Sequence, residues 1–155
     1  MAKTAAIRAL ETAGCKFEPA GYKYVEKGGT RASSQELGVD EHLVIKTLIF
    51  EDEKKRPLIA LMHGDHQVST KALARHVGTK SITPCTPAVA QKHSGYQVGG
   101  TSPFGTRKAM PVYMQASIAD LDVLYINGGK RGLLVCMSAA DVMKALSPEL
   151  VEMVA

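Results

Sequence analysis

HLVIKTLIFEDEKKRPLIALM, residues 42–62, is the stretch that decides the fold. His42 to Phe50 is rich in β-branched and apolar residues, Glu51 to Pro57 is a charged run ending in proline, and Leu58 to Met62 is apolar again. Two apolar runs of strand length around a polar turn predict a β-hairpin. Strand side chains alternate, so Lys46 shares a face with Val44, Leu48 and Phe50, while Leu43, Ile45, Thr47 and Ile49 take the other. A lone lysine in so apolar a run either lines a cavity or guards an exposed sheet edge. In a partly apolar cleft its ammonium offers three donors and a charge to a carbonyl, phosphate or ribose.

Outward from the hairpin, short helices and strands intersperse without regular alternation. A helix is predicted over Ala5–Ala13, with Ile7 and Leu10 on one face and Gly14 as its stop. Ser33–Gly38 reads as a short capped helix and Thr70–His76 as another, ended by Gly78. Thr86-Pro87 is an N-cap followed by proline at the first helical position, and Gly95 closes that helix. Strands are predicted over Met110–Gln115, Asp122–Ile126 and Leu133–Met137, the last pair joined by a turn from Asn127 to Gly132. Ser138 and Asp141 form a capping box for a last helix, and Pro148 starts a turn. The pattern is α+β with a mixed, strongly curved sheet, not a doubly wound parallel one.

The 155 residues, 45% apolar and 22% charged, predict one domain over residues 1–155 and exclude a disordered, collagen-like or coiled-coil chain. No window holds the roughly 18 apolar residues of a membrane helix. The N-terminal stretch reads as an amphipathic helix and not a signal peptide, so a cytoplasmic location is expected. Net charge is +4, from 19 basic and 15 acidic residues. Thr106-Arg107-Lys108 and Lys130-Arg131 concentrate basic groups beside glycine-rich turns, which suits a polyanion. Cys15, Cys85 and Cys136 are few and far apart, as expected of buried reduced thiols. His63 and His66 are the nearest thing to a metal pair, with no third ligand evident along the sequence, so no metal and no cofactor is expected.

Three further segments can carry chemistry. Val98-Gly99-Gly100-Thr101-Ser102-Pro103-Phe104-Gly105 is a rigid turn where backbone can approach a ligand and exposed N–H groups can hold an oxyanion. It lacks the ending of a phosphate-binding P-loop and the spacing of a nucleophile elbow. Ile126-Asn127-Gly128-Gly129-Lys130-Arg131-Gly132 reads either as a hairpin loop or as a place where Lys130 and Arg131 contact phosphates. Tyr22-Lys23-Tyr24 carries alternating aromatics that either pack in a strand or shape a pocket.

Taken in order, Lys46-Thr47 in an apolar strand, the Gly95–Gly105 loop and Gly128-Gly129-Lys130-Arg131-Gly132 resemble the YbaK/EbsC family. These are free-standing aminoacyl-tRNA deacylases related to the editing insertion of bacterial prolyl-tRNA synthetase. The resemblance implies an α+β domain around a curved, barrel-like sheet with surrounding short helices. It also implies hydrolysis of the ester joining a wrong amino acid to tRNA, most typically Cys-tRNA(Pro), without a metal. The family's key lysine falls on Lys46, its glycine–proline loop on Gly99 to Pro103, and its N-terminal aromatic on Tyr22. By that resemblance Lys46, Gly99 and Gly100 are the catalytic candidates. Tyr22, Thr47, Thr101, Ser102, Pro103, Asn127, Gly128, Lys130 and Arg131 are the substrate-binding ones.

Lys46 would hold the terminal adenosine's phosphate or ribose, backbone N–H groups near Gly99 and Gly100 would stabilise the oxyanion, and the basic turns would hold the acceptor stem. The cysteine-specific members are thought to let the substrate's own thiol attack its ester, so no cysteine of this chain is needed as nucleophile. The implied partner is aminoacylated tRNA, with prolyl-tRNA synthetase as a candidate second one. Asn127 stands where the cysteine-specific subgroup carries serine, and Leu134 where it places an acidic residue. These departures leave open a deacylase for another small amino acid such as alanine. An inactive tRNA- or synthetase-binding module is the other alternative.

Overall fold

The computed structural model describes residues 3–155. In chain order the elements are α1 (Ala5–Thr12), β1 (Glu18–Gly21), α2 (Gly29–Leu37), β2 (Val44–Asp52), β3 (Pro57–His63), α3 (Thr70–Val77) and β4 (Ile82–Pro84). They continue as α4 (Pro87–Ser94), β5 (Val112–Gln115), β6 (Leu124–Lys130), β7 (Leu133–Met137), α5 (Ala139–Leu146) and β8 (Glu149–Val151). None of these helices is long and apolar enough to cross a membrane.

The expected hairpin is the centre of the molecule. β2 and β3 pair antiparallel from Ile45↔His63 to Glu51↔Pro57. The turn between them is closed by Asp52, whose carboxylate accepts from the N–H groups of Lys54 and Arg56 and from Arg56 Nε at 2.7 Å. The sheet is mixed, ordered β1-β7-β6-β2-β3-β5-β8 with β4 also on β2, and it does not close on itself. Three pairings are parallel: β2 with β6, β3 with β5, and β5 with β8.

Strand alternation sorts the core onto two faces. Ile45, Ile49, Ile59 and Leu61 join α1 and α5 in one cluster, whereas Phe50, Leu58, Ala60 and Met62 join α3 in the other. At about 25 cal/mol per Å² of apolar surface, burying each of these large side chains contributes roughly 1.5–3 kcal/mol against the entropy of folding. Helix starts follow local capping chemistry: Thr4, Ser69, Thr86 and Ser138 each accept a backbone N–H of the first turn.

Several expectations change. The short helix at Ser33–Gly38 begins four residues earlier, at Gly29, and still ends on Gly38. The turn expected from Asn127 to Gly132 shrinks to Arg131-Gly132, because β6 continues to Lys130 through a bulge between Asn127 and Lys130. Asn127 makes the bulge possible, its Oδ1 accepting the Gly129 N–H at 2.8 Å while Gly129 takes φ +100°. Tyr22-Lys23-Tyr24 lies just beyond β1 and is not a strand. Glu149–Val151, directly after Pro148, form β8, paired with β5.

Candidate functional site

The site begins with an interruption in the sheet. On one side β2 is paired along its length by β3, but on the other side β6 accompanies only Val44 and Ile45, and β4 only Phe50 to Asp52. The gap between them exposes the middle of β2. The Ile49 carbonyl points into this side, since it accepts the Cys85 N–H at 3.1 Å. Backbone groups two residues apart point the same way, so the N–H and C=O of Thr47 also face the gap. The Thr47 hydroxyl is buried with no partner among the described residues.

A cleft of about 540 Å³ occupies the gap, and Tyr22, Tyr24, Lys46, Thr47, Gly99 and Arg131 are among its walls. Lys46 therefore lines a cavity and is not an edge gatekeeper. It is half-buried, and its ammonium donates to the His66 carbonyl. Burial lowers its pKa, with Glu41 and Asp65 opposing the shift through their negative charge. One of its three donors is thus fixed, and the remaining donors stay available to an incoming phosphate or hydroxyl.

The glycine loop forms the opposite wall and is held by two tethers. Asn127 Nδ2 donates to the Gly99 carbonyl at 3.0 Å, and Arg131 Nε donates to the Val98 carbonyl at 2.9 Å. The Arg131 guanidinium also lies 5.0 Å from the centre of the Tyr24 ring. Gly99 has φ +88°, and a Cβ there would meet the Tyr24 phenol at 2.6 Å, so a larger residue forces the ring or the loop to move. Tyr22 is fixed from the other direction by its N–H, which donates to the Gly132 carbonyl at 2.9 Å. Burial raises the Tyr22 phenol pKa, so the ring enters the cleft as a neutral hydroxyl.

Of the remaining candidates only Thr101 is part of the lining. The Gly100 N–H is used within the loop, donating to the Gln97 carbonyl at 2.9 Å, so it is not free to serve as an oxyanion donor. Ser102 is wholly buried and its hydroxyl accepts the Phe104 N–H at 3.2 Å. Pro103 and Gly128 are buried as well, so these residues shape the loop from behind, whereas Thr101 lines the cleft. Lys130 is exposed and does not line it. Lys108, in the other basic turn, gives its ammonium to His93 Nδ1 at 3.0 Å, and His93 Nε2 bonds Glu51 at 2.8 Å. That chain ties α4 to β2.

Sequence reasoning gave two cleft residues no definite role. Tyr24 was visible as the partner of Tyr22, yet nothing in the sequence indicated which ring meets Gly99. Cys85 lines the cleft because β4 delivers it there, and burial beside Glu51 pushes its thiol up to about 11. A thiol so protonated at neutral pH is a poor nucleophile. Leu134, paired with Asn127 across β6 and β7, is buried and adds an apolar patch to the same wall.

Comparison with known proteins bears on the family and the fold. The chain is 24% identical over 97% of its length, and 92% of the relative's, to an Enterococcus faecalis protein described as "Putative Cys-tRNA(Pro)/Cys-tRNA(Cys) deacylase EbsC". It is 32% identical over 68% of its length to a proline–tRNA ligase of Thermodesulfovibrio yellowstonii, of which it spans 18%. A crystal structure described as that of "a putative trans-editing enzyme for prolyl tRNA synthetase" shares the fold at TM-score 0.87 and 19% identity, covering 100% of this chain and 99% of its own. The model of the aminoacyl-tRNA editing domain matches residues 28–145, and that span holds β2, the glycine loop and the β6–β7 bulge, so the chain belongs to the aminoacyl-tRNA editing domain family.

Proposed function

We infer that this chain hydrolyses the ester of mischarged aminoacyl-tRNA in trans, with Cys-tRNA(Pro) as its foremost substrate. The observation that carries the reading is the gap in the sheet, where Lys46, the backbone edge of Thr47 and Gly99 line one cleft. In this reading Lys46 holds the terminal adenosine through a phosphate or ribose oxygen. The Thr47 carbonyl accepts from the substrate's α-ammonium, and the Gly99 N–H donates to the oxyanion as the ester carbon becomes tetrahedral. One such donor contributes on the order of 10²–10³ in rate.

No side chain of the cleft is set up as a nucleophile, so the protein's part is binding, orientation and electrostatics. With a cysteinyl substrate, the substrate's sulfur bonds to its own carbonyl carbon and the ester C–O bond breaks. The thiol proton ends on the released ribose oxygen, leaving a thiolactone that water opens. Alanine lacks that thiol and would need water as the attacking group. Cys85 and Leu134 supply an apolar, thiol-compatible wall, which favours cysteine over serine. A pocket of this kind separates neighbours differing by one small group by only about 1–3 kcal/mol, so leakage to a similar small amino acid is expected.

The test is deacylation of tRNA(Pro) charged in turn with cysteine, alanine, serine and proline, with matched tRNA-binding measurements. Fastest loss of the cysteinyl ester supports the reading. Fastest loss of alanine moves the specificity, and binding without any loss above the spontaneous rate replaces the deacylase by a binding module.

A further inference from the structure

Around His66, whose carbonyl receives Lys46, three side chains of ligand type converge. His42 lies in the short 3-10 turn Glu41–Leu43 that leads into β2, and Asp65 and His66 follow the end of β3. His42 Nδ1 is 3.0 Å from Asp65 Oδ1, and His66 Nε2 is 3.9 Å from the same oxygen. One atom from each of the three residues lies within 4.8 Å of the others. Two donors bound tetrahedrally to zinc at about 2.0–2.1 Å sit roughly 3.4 Å apart, so the observed spacings bracket what such an ion needs.

The cluster is also pre-arranged. The His42 ring stacks on His63 with centroids 3.7 Å apart and planes within 7°. His63 is wholly buried and both its nitrogens are engaged, Nδ1 with the His42 carbonyl and Nε2 with Ser117 Oγ, each at 2.8 Å. It cannot act as a ligand, so the His63–His66 pair visible in the sequence is not the metal pair. It is a fixed platform for His42. The side chains of His42, Asp65 and His66 are 37%, 37% and 39% exposed, open enough for an ion and a water to enter.

We propose that His42, Asp65 and His66 form a binding site for one divalent transition-metal ion of the zinc class, with water completing the coordination. Two imidazoles and one carboxylate select such ions over magnesium and calcium, which prefer all-oxygen shells. Because His66 carries both a ligand nitrogen and the carbonyl that anchors Lys46, an ion here grips the residue that positions the lysine. The site does not depend on the deacylase reading.

The experiment uses untagged, chelator-treated full chain titrated with Zn²⁺ by calorimetry and with Co²⁺ by visible absorption. The expected result is one ion per chain, with a Co²⁺ spectrum of low coordination number. His42→Ala and Asp65→Asn should each weaken binding at least about tenfold. Asp65→Asn is nearly isosteric, and its unchanged melting temperature without metal separates ligand loss from misfolding. Cys85→Ser tests the other donor group of suitable spacing, Glu51, Cys85 and His93, and should leave binding unchanged. Absence of binding at about 0.1 mM metal would overturn the proposal, as would affinity that survives both substitutions or disappears in Cys85→Ser.

Discussion

Replacing Gly99 by alanine probes the loop, its strain and its contact with Tyr24 in one step. The backbone φ of +88° places any L residue in a region that costs about 1–2 kcal/mol. The new Cβ would lie 2.6 Å from Tyr24 Oη, 2.7 Å from Cε1 and 3.0 Å from Cζ, so the ring or the loop has to move. If Tyr24 yields, its contact with Arg131 is lost, at about 0.5–1 kcal/mol. Together these give roughly 1.5–3 kcal/mol, or a fall of roughly 3–12 °C in melting temperature for a chain of this size.

Gly78→Ala is the control, because Gly78 has φ +85° but nothing lies within 4 Å of where its Cβ would stand. Both variants should lose stability, whereas only Gly99→Ala should lose deacylation. A loop displaced by 1 Å costs on the order of 10²-fold. Melting curves and single-turnover deacylation read the two effects separately. In a double-mutant cycle with Tyr24→Ala, the combined loss should be smaller than the sum of the single losses. A Gly99→Ala protein with wild-type stability and rate would refute the argument. So would one whose rate falls no further than that of Gly78→Ala.

Three other perturbations have defined outcomes. Arg131→Ala removes the contact over Tyr24 and the tether to Val98, and should weaken tRNA binding at least about twofold to fivefold, seen as a higher KM. Cys85→Ser should keep a rate of wild-type order, since the thiol is held protonated; abolished turnover would make it the nucleophile. Burial tends to raise the Asp52 carboxyl pKa, but its bonds to Arg56 and Lys54 outweigh this and hold it below the usual value. A folded pKa below the unfolded one stabilises the fold above about pH 4, and that contribution is lost as pH falls through the folded value. Asp52→Asn should therefore melt below wild type at pH 7, and the difference should close in acid.

What the sequence disclosed depended on how local the physics was. The β2–β3 hairpin was legible because both apolar runs and their turn are contiguous. The helix at Pro87–Ser94 and the box at Ser138 and Asp141 were legible because capping is settled within four residues. β1, β4 and β8 were not read as strands, since each is three or four residues long and exists only through its pairing with β7, β2 and β5. The Asn127–Gly132 segment looked like a loop because glycine signals a turn whether it ends a strand or bulges it.

The site divides in the same way. Lys46, Gly99, Asn127 and Arg131 announce themselves by residue type, and the structure brings them to one cleft. The gap that makes the cleft could not be seen, because it arises where β6 and β4, drawn from distant parts of the chain, each stop short along β2. Likewise His42 and Asp65 are 23 positions apart, and only the hairpin sets them together.

The most direct measurement is single-turnover deacylation of Cys-tRNA(Pro) by wild-type protein and by Lys46→Ala, at saturating enzyme and matched for folding by melting temperature. The account predicts rapid ester loss by wild type and a loss of about 10²-fold or more in the variant, as for removal of a positioned electrostatic group. Equal rates in the two proteins, or no ester loss above the spontaneous rate in either, would contradict it.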